Sequence, residues 1–244
     1  AVERQHTADL AQQPGQTDAL DPASRGLSRY VSEYGPYPAW KNSTAKYYPC
    51  GEAMYPDLLA DLEKAERFIF LEFFIVRAGK MWKGVEDILV RKAAQGVDVR
   101  LIYDDFGSLL GLPSDFVVQM ERAHIRCIPF NPVVPLVSLV MNHRDHRKIV
   151  VVDGNTAYTG GINLADEYIN QKLRYGHWKD TAILLKGEAV WSMTVMFLTM
   201  WEYTRDVEED YRRFRPDKLP PEAAQGAGYY VQPYADNPLD EEAV

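Results

Sequence analysis

An α/β fold is predicted by three observations. Apolar, β-rich runs alternate with stretches of helical apolar spacing in a βαβαβ order. The composition is globular, with 46% hydrophobic and 12% aromatic residues among 244, so a real core is expected. No run of about 18 apolar residues occurs, so no transmembrane helix is predicted within the chain. The length allows one good core or two small ones, and polar tails at both ends favour one.

Residues 1–44 are expected to form a polar arm or linker, rich in Gln, Asp, Ala and Pro with little apolar periodicity through about Ser28. A short strand is expected at 46–48. Helical spacing of Leu58, Leu59, Leu62 and Ala65 then predicts a helix over 54–66. Residues 67–76 are β-rich and interrupted by one carboxylate, Glu72, so a central strand is expected there. An unpaired buried charge is costly, so Glu72 is either a satisfied core carboxylate or a site-lining group that binds a substrate hydroxyl. A helix over 85–95 should end at Gly96. A strand over 97–103 runs into Asp104-Asp105-Phe106-Gly107, at the edge where open α/β sheets place their ligands. For this acidic pair, turn formation is favoured over catalysis. Ser114 should cap a helix reaching Arg122, followed by a strand at 125–128. Residues 129–140 are apolar with three prolines, a poor central strand. They fit either buried packing or a surface for an acyl chain or bilayer.

The chemistry concentrates in residues 141–163. His146 and Lys148 are two apart, so on an extended chain an imidazole and an ammonium share one face. Residues 149–152 are an apolar run, as in a strand buried on both sides. Asp153-Gly154-Asn155 supplies a turn, 156–159 a second strand, and Gly160-Gly161 its end. A phosphate between His146, Lys148 and Asn163 would meet a nucleophilic nitrogen, a point charge and an amide donor. For Asp153, hydrogen bonding to the turn backbone is as good a reading as catalysis. His143, Asp145 and His146 lack the helical His-to-His spacing of zinc enzymes, and no metal is expected. Arg144, Arg147 and Arg174 are either solvated charge or contacts to anionic lipid.

Downstream, a short helix at 164–170, a basic loop at 172–176 and a strand at 178–186 are expected. In 188–205, Val190, Phe197, Leu198 and Trp201 fall on one helical face, a core-packing pattern. Residues 213–228 read as a linker. Acidic residues outnumber basic ones, 35 to 27, for a net charge of −8, which counts against a nucleic-acid partner. Cys50 and Cys127 are too few for a disulfide framework, so reduced thiols are expected.

The spacing His146-x-Lys148-x-x-x-x-Asp153, then six residues, then Gly160-Gly161-x-Asn163, resembles the HKD motif of the phospholipase D superfamily. The wording from Asn142 to Val150, with Trp178-Lys179-Asp180, resembles the first of two catalytic halves of bacterial cardiolipin synthases, over about residues 47–203. This resemblance implies a mixed sheet sandwiched between helix layers and a catalytic half at 45–212. Residues 213–244 would be a linker and the start of a truncated second half, opening at Gly226-Ala227-Gly228-Tyr229-Tyr230. It implies catalysis by His146, Lys148 and Asp153 through a phosphohistidine, with His146 as the nucleophile or else its general-acid partner, and substrate binding by Asn163 and Gly161, beside Glu72 in its site-lining reading. Asp180 would accept a hydrogen bond from His146 and fix its tautomer. Many members carry Ser at the place of Gly161, so any role of that hydroxyl is absent here. No cofactor is implied. The implied partners are phosphatidylglycerol or another anionic phospholipid, a bacterial membrane surface, and a second HKD half, supplied in cis by a longer protein or by a homodimer. The chain begins with Ala rather than Met, and membrane-spanning helices are expected upstream of it in the full-length protein. The alternatives are a phospholipase D or nuclease of the same superfamily, or an inert half that binds lipid.

Overall fold

The computed structural model describes residues 20–35, 37–133, 144–174, 176–224 and 228–235. Seven strands are present among them: β1 Ser43–Tyr48, β2 Phe68–Phe73, β3 Asp98–Asp104, β4 Arg126–Phe130, β5 Lys148–Val152, β6 Thr156–Gly160 and β7 Ala182–Gly187. They lie in the order β1-β7-β6-β5-β2-β3-β4. β2 pairs parallel with β3, β3 parallel with β4, and β2 antiparallel with β5, so the fold is α/β with a mixed sheet, as the sequence predicts.

The described chain divides into two compact units, one built from 47–153 and 158–184, the other from residues up to 46, 154–157 and 185–235. In the first, β2 and β5 are buried at every position, which is why their sequences are nearly continuous apolar runs. Side chains alternate along them. Ile69, Leu71, Phe73, Val99, Leu101, Tyr103, Val150 and Val152 share one core with the helices Gly51–Glu63, Lys80–Ala94 and Phe116–Arg122, through Leu58, Leu62, Val85, Leu89 and Phe116. By the same period of two, Phe70, Glu72, Arg100, Ile102, Asp104, Ile149 and Val151 point the other way, and all are buried.

Several expectations are corrected. The polar arm contains a helix, Pro22–Tyr34, started by Asp21, whose Oδ1 accepts the N–H groups of Ala23 and Ser24 at 3.0 and 3.1 Å, with Pro22 opening the first turn. Capping announces it, together with Leu27, Tyr30, Val31 and Tyr34 at the i, i+3, i+4, i+7 spacing of one helical face. The helix Phe116–Arg122 has Asp115 at its cap position in place of Ser114. β7 begins at Ala182 rather than at Trp178, whose backbone is instead taken by Asn170, which accepts its N–H at 2.7 Å and donates to its carbonyl at 2.8 Å. The helix Val190–Arg205 is buried at every residue from Val190 to Leu198, not along one face. Its polar Ser192 accepts the indole N–H of Trp40 at 2.8 Å, which satisfies a hydroxyl that would otherwise be costly there. In the same unit Val231 pairs with Trp40, and Gln232 donates to the carbonyls of Ser28 and Tyr37. Within the stretch expected as linker lies a short helix, Pro221–Ala224. Cys50 and Cys127 are free thiols. Residues 134–143, which hold most of the proline-rich apolar loop and His143, fall outside the described residues.

Candidate active site

In the antiparallel register of β2 and β5, Phe73 lies opposite Lys148 and Ile69 opposite Val152. The C-terminal ends of β2 and β3 and the start of β5 therefore meet at one sheet edge. There residues 144–147 run in without helix or strand structure and deliver His146 and Lys148.

His146 is exposed, and its ring packs on Phe74 with centroids 4.8 Å apart. The Nζ of Lys148 lies 5.4 Å from the centroid of the same Phe74 ring and donates to the His146 carbonyl. Imidazole and ammonium thus share one aromatic platform. Lys148 is buried, and burial pushes its ammonium down to about 8, against the pull of Asp145, Asp180 and Asp104. His146 is also lowered, first by desolvation and then by the Lys148 charge, with Asp145, Asp104 and Asp180 opposing. Near neutral pH this gives an imidazole with a free lone pair beside a protonated lysine.

The residues alternating with this pair turn the other way. Arg147 donates to Asp145 Oδ1 from Nε at 3.0 Å and from its backbone N–H at 3.2 Å, and its Nη2 lies 2.7 Å from Glu72 Oε1. The backbone N–H of Asp145 donates to Asp104 Oδ2 at 3.1 Å, and Asp104 Oδ1 accepts the Gly107 N–H at 3.0 Å. Arg144 lies 3.5 Å from Asp104, and it donates to the Asn131 carbonyl at 2.8 Å. Glu72, Asp104 and Asp145 are each at most 1% exposed. Burial raises the carboxyl of Glu72 well above the ordinary range, with Arg147 opposing, and it also raises that of Asp104. Arg174 pairs with Glu167 at 3.2 Å. All three arginines are engaged with protein groups.

The remaining expected residues are placed as follows. Asn163 is 2% exposed; its oxygen accepts the Ile75 N–H and its nitrogen donates to the Tyr168 hydroxyl, both at 2.8 Å. A Cβ on Gly161 would sit 1.9 Å from Asp180 Oδ1, so any side chain there requires the Asp180 carboxylate to move. The Asp180 carboxylate accepts the Thr181 N–H at 2.9 Å and makes no hydrogen bond to His146 among the described residues, so it acts on the imidazole through its charge. Glu72 is fully buried and meets Arg147 within the protein, an arrangement that favours its reading as a paired core carboxylate. Asp153 is not brought to His146. It stands at the far end of β5, about 17 Å from Lys148 at roughly 3.3 Å per residue. Its carboxylate accepts the N–H groups of Glu66, Arg67 and Phe68, each at 2.8 Å. No group of three or more His, Cys, Asp or Glu side chains suited to a metal is found among the described residues.

Sequence reasoning did not single out Phe74, or the joint role of Asp145 and Arg147. The usable signal was the strict alternation of charged side chains from 145 to 148, which places two ionic residues on the face that continues as Ile149 and Val151.

A family model described as cardiolipin synthase, PLD-like domain, matches residues 58–201. An uncharacterized protein of Streptococcus mutans is 44% identical over 218 residues, 89% of this chain and 46% of that protein. A cardiolipin synthase of Geobacillus kaustophilus is 37% identical over 203 residues, 83% of this chain and 39% of that enzyme. The chain thus spans less than half the length of these curated relatives. Among solved structures, a phosphatidylserine synthase of Haemophilus influenzae superposes with a TM-score of 0.53 at 12% identity, covering 88% of this chain and 46% of that one. NucT of Helicobacter pylori superposes with a TM-score of 0.50 at 10% identity, covering 66% of this chain and 96% of that one. At such identities these two structures share the fold.

Proposed function

The chain belongs to the cardiolipin synthase, phospholipase D-like domain family, and from that premise we propose that it carries one of two half-sites of a phosphatidyltransferase that makes cardiolipin from two phosphatidylglycerols. The observation that carries this reading is the exposed His146 imidazole beside the buried Lys148 ammonium on the Phe74 ring. An imidazole nitrogen of His146 attacks the phosphorus of one phosphatidylglycerol. The bond to the glycerol oxygen breaks, and glycerol leaves with a proton supplied by the His of the second half. The glycerol hydroxyl of a second phosphatidylglycerol then attacks the phosphohistidine, gives its proton to that same His, and frees His146 with cardiolipin formed. Lys148 neutralises the non-bridging oxygens. Asn163, held by Ile75 and Tyr168, keeps one amide hydrogen for the same oxygens. The catalytic half runs over 45–212 in this reading, and the second comes in cis from a longer protein or from a second copy of this chain.

The test is turnover of phosphatidylglycerol vesicles by the chain beside His146→Ala, with cardiolipin, phosphatidic acid, glycerol and acid-labile phosphohistidine all quantified. Cardiolipin and phosphohistidine that vanish together in the variant are the expected result. Turnover that survives in His146→Ala would overturn the assignment, and phosphatidic acid as the main product would make the enzyme a hydrolase. The sequence holds a single His-x-Lys-x-x-x-x-Asp pattern, and this favours one second reading, an inert half that binds lipid. Vesicle binding without turnover, unchanged in His146→Ala, is its signature.

A further inference from the structure

We infer that Glu72 is a positioning residue: with Arg147 and Asp145 it forms a buried clamp behind the segment that presents His146 and Lys148. This rests on the reading of His146 as the reacting group. The ladder between β5 and β2 runs only from Lys148 onward, so His146 lies beyond the last strand pair. Side chains hold the backbone there instead. The Asp145 N–H is taken by Asp104, the Arg147 N–H by Asp145, and the His146 carbonyl by Lys148. Because Glu72 lies opposite Ile149 in the register, Arg147, two residues before Ile149, falls on the same side of the sheet as Glu72. Its guanidinium then spans Glu72 at 2.7 Å and Asp145 at 3.0 Å, flanking His146 through both of its chain neighbours. Neither oxygen of Glu72 accepts an aligned hydrogen bond among the described residues, although the side chain is fully buried. A carboxyl in that state is poor value for stability, since apolar side chains commonly replace such pairs without loss. What an apolar replacement lacks is a fixed link from β2 to the nucleophile's neighbour.

The experiment separates positioning from stability. Glu72→Leu combined with Arg147→Met removes the pair, while the buried Asp145 loses the guanidinium and keeps only the Arg147 backbone N–H, so the melting temperature is measured beside kcat and a modest loss of stability is expected. In the same protein, turnover of phosphatidylglycerol should fall on the order of 100-fold in kcat with KM little changed, as for a misplaced reacting group. Independently of turnover, selective ¹⁵N labelling of the five histidines should show the His146 imidazole with shifted signals and a displaced titration midpoint, the other four unchanged. Glu72→Gln, which keeps an acceptor within reach of Arg147, should return most of the rate and the His146 signals. It also serves if the double variant does not fold. A double variant, or Glu72→Ala in its place, with wild-type kcat and unaltered His146 signals overturns the clamp. If His146→Ala keeps its turnover, the reading of His146 fails; if the wild type has none, the chain is half a site; in both cases the imidazole signals still decide whether the clamp exists.

Discussion

At one end of β5 the buried Lys148 ammonium shares the Phe74 ring with the exposed His146; at the other, the Asp153 carboxylate accepts three backbone N–H groups from residues 66–68. Both ends belong to one sequence pattern, and both engage a charge in hydrogen bonds, Lys148 buried and Asp153 partly exposed. The first end leaves a nucleophilic face open. The second closes a loop 85 to 87 residues upstream and fixes where β2 begins. The four residues between Lys148 and Asp153 thus measure the length of a strand, not the width of a site.

The sharpest way to break this contrast is to exchange the expected phenotypes. His146→Ala should lower phosphatidyl transfer by at least about 10³-fold with the melting temperature unchanged. Asp153→Ala should do the reverse, losing about 2–3 kcal/mol in urea denaturation, because three backbone donors lose a charged acceptor, while kcat of the folded enzyme stays near wild type. Asp153→Asn should fall between them. Two of the three bonds use Oδ1, and an amide oxygen in that place can keep them. A stable Asp153→Ala protein without activity would return Asp153 to the chemistry.

A smaller effect sharpens the Lys148 end. Lys148 is depressed to about 8, so it is charged below that pH and neutral above it; His146 is depressed below its usual 6.5, so it is a free base above its own value. The pH profile of kcat/KM should therefore rise on the acid side below pH 6.5 and fall on the alkaline side near pH 8. Lys148→Arg keeps its charge at any working pH, so whatever activity it retains should lack the alkaline limb. An unchanged limb in that variant would assign the titration to another group.

Much of the fold was legible because apolar runs and glycine punctuation are local signals. The strands from β2 to β6 and the pairing of His146 with Lys148 follow from residues close in the chain. What was not legible is held by partners far apart. Asp153 meets residues 66–68, Glu72 meets Arg147, and Phe74 is where the His146 ring rests; each depends on the β2–β5 register, which no single stretch displays. The all-round burial of Val190–Leu198 escaped in part for the same reason, since Ser192 reads as an exposed polar position until the indole of Trp40, 152 residues away, is seen to satisfy it; Thr194 is satisfied locally by the Val190 carbonyl.

The smallest expected effect tests how far the site's charges extend. A Cβ on Gly161 would lie 1.9 Å from Asp180 Oδ1, and the contact is with the end of a side chain, so Gly161→Ala should displace the Asp180 carboxylate at modest cost to stability. Asp180 raises the proton affinity of both His146 and Lys148. Moving it away should shift both limbs of the pH profile toward acid, a fraction of a pH unit on the Coulomb scale of a partly solvated charge. Asp180→Asn, which removes the charge without a clash, should give the same shift, and the double variant should shift no further than either single one. If Gly161→Ala changes stability but leaves both limbs in place, Asp180 is too far from the pair to tune it, and its role reduces to the hydrogen bond with Thr181.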